Sequence, residues 1–188
     1  ALFAAHLAAC NPHDKALYID PYYTTYPGML RALSLNPVAI AAKASDGFQP
    51  NEASLNAAAQ GAASLLINSP NNPTGVVYGQ ETLEIIADIC REHDLWLISD
   101  EVYASQVWSG RHITPRSLPG MKDRSLIVGS MSKSHAMTDS RIGWVIGPED
   151  IIAKLSDLAT VSNYGVVGFI QDAAEYALKL GSSACISV

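Results

Sequence analysis

Apolar residues along this chain fall into two alternating rhythms. Six short runs, ALYID (16–20), PVAIAA (37–42), SLLINS (64–69), LWLIS (95–99), SLIVGS (125–130) and IGWVIG (142–147), are almost continuously apolar, as strands buried on both faces must be. Between the fourth run and its predecessor lies GQETLEIIADICREHD (79–94), which places Leu83, Ile86, Ala87 and Cys90 on one face at helical spacing. Its acidic residues Glu81 and Glu84 come early and Arg91 and His93 come late, the order that a helix dipole favours. A second amphipathic pattern, GFIQDAAEYALKLG (168–181), closes on Gly181. The opening ALFAAHLAAC (1–10) reads as a buried helix. Strands alternating with covering helices predict an α/β fold with a mainly parallel sheet, in one domain over residues 1–188.

In such sheets ligands bind beyond the carboxyl ends of the strands, so the residues just past each run carry the functional signal. Pro21, Tyr22 and Tyr23 follow the first run, and PNNPTG (70–75) follows the third. DEVYA (100–104) follows the fourth and Met131, Ser132 and Lys133 follow the fifth. Four predicted strands thus deliver an aromatic ring, an amide, an acid with a tyrosine, and a lysine to one edge. Each alone is an ordinary turn, cap or surface residue; their convergence points to a site.

Composition narrows the setting. With 48% hydrophobic and 16% charged residues the chain is globular. Its net charge of −6 argues against a general affinity for nucleic acid or an anionic membrane surface. Cys10, Cys90 and Cys185 are odd in number and far apart, which favours free thiols in a reducing compartment, and the cytoplasm is the expected location. No apolar run approaches the roughly 20 residues that span a bilayer, and the opening lacks a signal peptide's basic leader. His6, His13, His93 and His112 have no ligand-like spacing, so no metal is assigned. His135 reads as a structural loop residue.

The motifs SPNNPTG (69–75), ISDEVYA (98–104) and SMSKSHAMTDSRIGW (130–144) resemble, in order and separation, the large domain of class I/II aminotransferases. These belong to the fold-type I enzymes that use pyridoxal 5′-phosphate (PLP). The wording of EHDLWLISDEVY (92–103), SLPGM (117–121) and SKSHAMT (132–138) is similar to a bacterial branch that includes arginine–pyruvate transaminases.

The resemblance implies a role for each residue, and the chemistry explains each residue type. Lys133 supplies the amine that holds the PLP aldehyde as a Schiff base and then moves the proton at the substrate α-carbon. Asp100 is the carboxylate that keeps the pyridine nitrogen protonated, so that the ring can act as an electron sink. Asn72 and Tyr103 donate to the phenolic oxygen, with Asn71 an alternative to the former. Tyr23 stacks on the ring face, with Tyr22 and Tyr26 as alternatives. Ser130, Ser132 and Arg141 hold the phosphate, hydroxyls and a planar cation being the groups a dianion requires. Ser162, Asn163 and Tyr164 resemble the segment that crosses to the neighbouring subunit of a homodimer with a shared site.

Two departures stand out. Asp139 occupies a position where many relatives carry Gly; Asp tolerates a positive φ if one is needed there. The family's upstream phosphate-binding loop and its smaller downstream domain, with the arginine that grips the substrate carboxylate, have no counterpart here, so the chain resembles a large domain shortened at both ends. Its own Arg31, Arg91, Arg111, Arg116 and Arg124 are not placed for that grip. The expected function is amino transfer from an amino acid to a 2-oxo acid. Another fold-type I activity such as a C–S lyase, or a non-catalytic scaffold, stays open.

Overall fold

The structure, a computed structural model, describes residues 1–181 and 185. All six apolar runs are strands: β1 (Lys15–Asp20), β2 (Asn36–Ala41), β3 (Ala62–Asn68), β4 (Trp96–Asp100), β5 (Ser125–Ser130) and β6 (Gly143–Ile146). They form one sheet in the order β2-β1-β3-β4-β5-β6. The first five run parallel, and only the edge strand β6 is antiparallel to its neighbour. The mainly parallel α/β architecture read from the sequence is therefore the one observed.

The alternation of side chains across each strand divides the interior in two. Leu17, Ile19, Leu65, Ile67 and Leu97 point to one face, where they meet α3 (Glu52–Ala59) and α4 (Gln80–Glu92). Ala16, Tyr18, Leu66, Ile98, Leu126 and Val128 point to the other. There they meet α1 (Leu2–Ala9), α2 (Tyr26–Ala32) and α6 (Glu149–Ser162). Each fully buried leucine or isoleucine contributes on the order of 1.5–3 kcal/mol relative to exposure. In α4 the buried residues are Leu83, Ile86, Ala87, Ile89 and Cys90, which are the four read from the helical spacing plus Ile89. Burial pushes the Cys90 thiol up to about 12, so it packs as an inert apolar group.

The final amphipathic pattern forms α7 (Gly168–Lys179), but its apolar face is not covered. Only Ala174 is buried, while Phe169 is 72% and Tyr176 67% exposed. Periodicity fixes which face is apolar, whereas burial needs a partner, and among the described residues of α7 only Ala174 is covered. The register of β5 and β6 is set by close contact. Gly129 faces Trp144, whose indole lies where a Cβ on that glycine would sit.

α1 is a helix, as expected, but it is buried on one side only: Ala5 and His6 are buried whereas Phe3 and Leu7 are exposed, so it carries a histidine into the core. His6 is 0% exposed; its Nδ1 lies 2.9 Å from the Leu2 carbonyl, to which it donates, and Nε2 has no hydrogen-bond partner among the described residues. Desolvation lowers its pKa from 6.5 to about 4. The unfolded chain therefore takes up this proton before the folded one does. The stabilising effect of a neutral His6 is complete above pH 6.5 and is lost as pH falls through about 4. The shift corresponds to on the order of 3 kcal/mol. Urea titrations between pH 7 and pH 4 are expected to show this loss in the parent and a smaller one in His6→Leu; equal slopes would show that His6 is not the titrating group.

Candidate active site

Because β1, β3, β4 and β5 are adjacent and parallel, their carboxyl ends open onto one edge. A cavity of about 570 Å³ lies there. All eight residues singled out in the sequence, Tyr23, Asn72, Asp100, Tyr103, Ser130, Ser132, Lys133 and Arg141, line it. So do Tyr26 and Asn68, which end or follow the same strands. Of the six arginines only Arg141 is among the lining residues.

Asp100 closes β4, paired in register with Asn68 of β3 and Val128 of β5. Only 6% of it is exposed. Its Oδ2 accepts a hydrogen bond of 2.7 Å from the Tyr26 hydroxyl, and Oδ1 a weaker one of 3.3 Å from the Val102 amide. Burial raises the carboxyl's pKa, against the lowering effect of the Tyr26 and Val102 bonds. The Asn68 amide donates to the Asp100 carbonyl at 2.9 Å and its Oδ1 accepts from the Asn72 backbone at 2.8 Å. One buried side chain therefore ties the end of β4 to the turn after β3.

That turn separates the two neighbouring asparagines. Asn71 is consumed internally: its Oδ1 accepts from the Thr74 amide and hydroxyl, and its Nδ2 donates to the Pro21 carbonyl. Asn72 is left to line the cavity. A similar division holds among the tyrosines. Tyr22 packs edge-on against Tyr18, with ring centres 5.0 Å apart. Tyr26 is buried, and Tyr23, 42% exposed, lines the cavity while meeting Tyr26 edge-on at 5.8 Å.

Tyr103 sits at the start of the connection from β4 to residue 114, and Glu101 fastens that connection. The Glu101 carboxylate accepts from Ser99 and Thr114 hydroxyls at 3.1 and 2.9 Å and pairs with His112 Nε2 at 2.8 Å. Farther along, the Gln106 amide donates to the Lys133 carbonyl at 3.4 Å.

β5 runs directly into α5 (Met131–Ser134). Ser130 caps this turn by accepting from the Ser132 amide, and the two hydroxyls share a hydrogen bond of 2.8 Å. Lys133 projects from the turn as an exposed side chain. The Arg141 guanidinium donates to the Thr138 carbonyl at 2.8 Å. The left-handed backbone in this stretch falls on Ala136 (φ 51°) and Arg141 (φ 50°), not on Asp139. The tolerance that Asp offers at 139 is therefore not used, and the uncommon conformation is carried by the arginine itself. His135 is held by Ser134, with 2.8 Å between Oγ and Nδ1. Ser162, Asn163 and Tyr164 lie away from the cavity, and Tyr164 is 90% exposed with φ 56°.

Three residues of this site escaped the sequence reading of roles. Tyr26 figured only as an alternative stacking ring, whereas its hydroxyl grips Asp100. Asn68 and Glu101 carry no signal in the sequence beyond their place at or just past a strand end. Only a three-dimensional partner distinguishes such groups from caps.

The donor set suits PLP. The end of β5 and the following loop gather two hydroxyls, a lysine amine and a guanidinium, while β4 presents a buried carboxylate whose raised pKa a cationic ring nitrogen would reverse.

Residues 1–180 match the family described as aminotransferase class I and II, and the chain belongs to that family. It is 41% identical over 180 residues to arginine–pyruvate transaminase AruH of Pseudomonas aeruginosa, covering 95% of this chain and 46% of that protein. It is 36% identical over 163 residues to a probable aspartate/prephenate aminotransferase of Thermus aquaticus, covering 86% and 42%. Aspartate aminotransferase from Thermus thermophilus with maleate superposes with a TM-score of 0.92 at 33% identity, over 97% of this chain and 48% of that one. The chain thus spans about half the length of the relatives it matches.

The raised pKa of Asp100 has a signed consequence for the protein without cofactor. The folded state binds this proton more tightly than the unfolded chain, so ionising Asp100 costs stability. That cost is absent below about pH 4, the ordinary carboxylate value, and is complete once pH has risen past the folded-state value. Asp100→Asn is expected to be more stable than the parent at pH 7, with the gap closing as pH falls to about 4. A gap that is the same at both pH values would show that Asp100 is not the titrating group.

Proposed function

We propose that this chain is the PLP-binding large domain of an aminotransferase that moves an amino group from an amino acid to a 2-oxo acid. The observation that carries the reading is the convergence of all eight motif residues, from four strand ends, on one cavity. Bound there, PLP would supply an aldehyde to capture an amine and a protonated ring to accept electrons from the α-carbon.

The chain's own residues divide the work. Lys133 provides the amine and moves the α-proton. Asp100 holds the proton on the ring nitrogen, and Asn72 and Tyr103 donate to the ring's phenolic oxygen. Tyr23 covers a ring face. Ser130, Ser132 and Arg141 bind the phosphate. With Arg141 so engaged, no other arginine of this chain reaches the cavity, so the substrate carboxylate is gripped by a residue from elsewhere in the assembly. We extend the reading to a homodimer in the cytoplasm, the exposed segment at Ser162, Asn163 and Tyr164 approaching the partner's phosphate site.

Borohydride treatment of the PLP-loaded protein, followed by peptide mass mapping, tests the lysine. The parent is expected to retain one covalent PLP on Lys133 and Lys133→Ala none; a trapped adduct in that variant would sink the assignment. Arg141→Ala is expected to weaken PLP binding about 10–100-fold, the loss of charge-assisted hydrogen bonds to a dianion, while leaving the lysine trappable at saturating PLP. Reaction type is read by adding an amino acid alone. Release of the matching 2-oxo acid without ammonia supports transamination, whereas pyruvate with ammonia would point to β-elimination.

A further inference from the structure

Resting on that reading, we propose that Tyr26 is a positioning residue that works through Asp100: its hydroxyl keeps the buried carboxylate ionised and aimed at the ring nitrogen, and its ring braces the stacking Tyr23. Three observations meet in this one side chain. Its hydroxyl lies 2.7 Å from Asp100 Oδ2, by far the shorter of the carboxylate's two hydrogen bonds. Its ring packs edge-on to Tyr23, with centres 5.8 Å apart and planes at 78°. It is 2% exposed at the start of α2, where Pro27 follows it at the helix entry.

The physical case is one of competing terms. Burial disfavours the charged carboxylate, and a protonated Asp100 would leave the ring nitrogen without an anionic partner. A hydroxyl that can only donate to the anion opposes that trend, and Tyr26 fits, because burial and the Asp100 charge hold its own proton on well above the ordinary phenol value. Water would do this poorly in so enclosed a place. The other side-chain charge acting on Asp100 is Glu101, the residue that follows β4, which favours protonation. Lys133 and Arg141 line the same cavity from the loop after β5. None of these fixes the direction of the carboxylate; the Tyr26 hydroxyl does.

Tyr26→Phe isolates the proposal, because it keeps the ring against Tyr23 and removes one oxygen. In the cofactor-free protein, carboxyl NMR of labelled aspartate is expected to show the Asp100 titration displaced to higher pH in Tyr26→Phe. An unmoved midpoint would overturn the proposal. With PLP bound, Tyr26→Phe is expected to hold the cofactor within about threefold of the parent. Exchange of the amino acid α-proton with solvent should slow by about tenfold or more, the loss of a hydrogen bond to a charged group. In an Asp100→Asn background the same change is expected to have little further effect. Equal losses in both backgrounds would mark Tyr26 as merely structural. A parent that acquires no visible absorbance with PLP would overturn the reading of the site itself, an outcome separable from failure of the Tyr26 shift.

Discussion

A carboxylate buried at the end of a central strand is the constraint around which this structure is arranged. Asp100 reaches its position because β4 is flanked by parallel neighbours, with Asn68 at the end of β3 and Val128 within β5 in register with it. Removed from water, such a group is tolerated only when hydrogen bonds or an opposite charge compensate. The chain supplies the bonds from separate elements, Tyr26 from α2 and Val102 from its own turn. The backbone beneath is pinned by Asn68. The opposite charge is what the pyridinium ring of the proposed cofactor would bring.

The remaining site elements follow from the same geometry. Parallel strands deliver their carboxyl ends to one edge, so chemistry separated by more than a hundred residues in sequence, from Tyr23 to Arg141, converges there. The strand ends set the approximate positions, and small polar residues refine them. Asn71 locks the turn that frees Asn72, Ser130 caps the turn that carries Lys133, and Glu101 clamps the connection that carries Tyr103. In each case the residue that does the fastening lies close in sequence to the one it positions.

Much of this was legible in the chain itself. The six strands could be read because strands covered on both faces must be continuously apolar, and the buried face of α4 because Leu83, Ile86, Ala87 and Cys90 recur at helical spacing. The eight cavity residues were legible because residue type and strand-end position coincide in recognisable motifs. The fate of α7 was not, since an apolar face says nothing about what covers it. Nor was the backbone at 136–141, where the left-handed residues are Ala136 and Arg141 rather than Asp139; local steric preference gives no reason to choose an arginine.

The sequence by itself determined the class of fold, the edge on which the site forms, and the chemical types gathered there, because hydrophobic period and the residue types that follow each strand are local properties that add up along the chain. Only the tertiary structure decided which of two asparagines and which of three tyrosines face the cavity. It also decided that Tyr26 serves Asp100 and that His6 is held neutral in the core. Those outcomes depend on distances between residues far apart in sequence, and a hydrogen bond of 2.7 Å across 74 positions leaves no trace in either residue's neighbours.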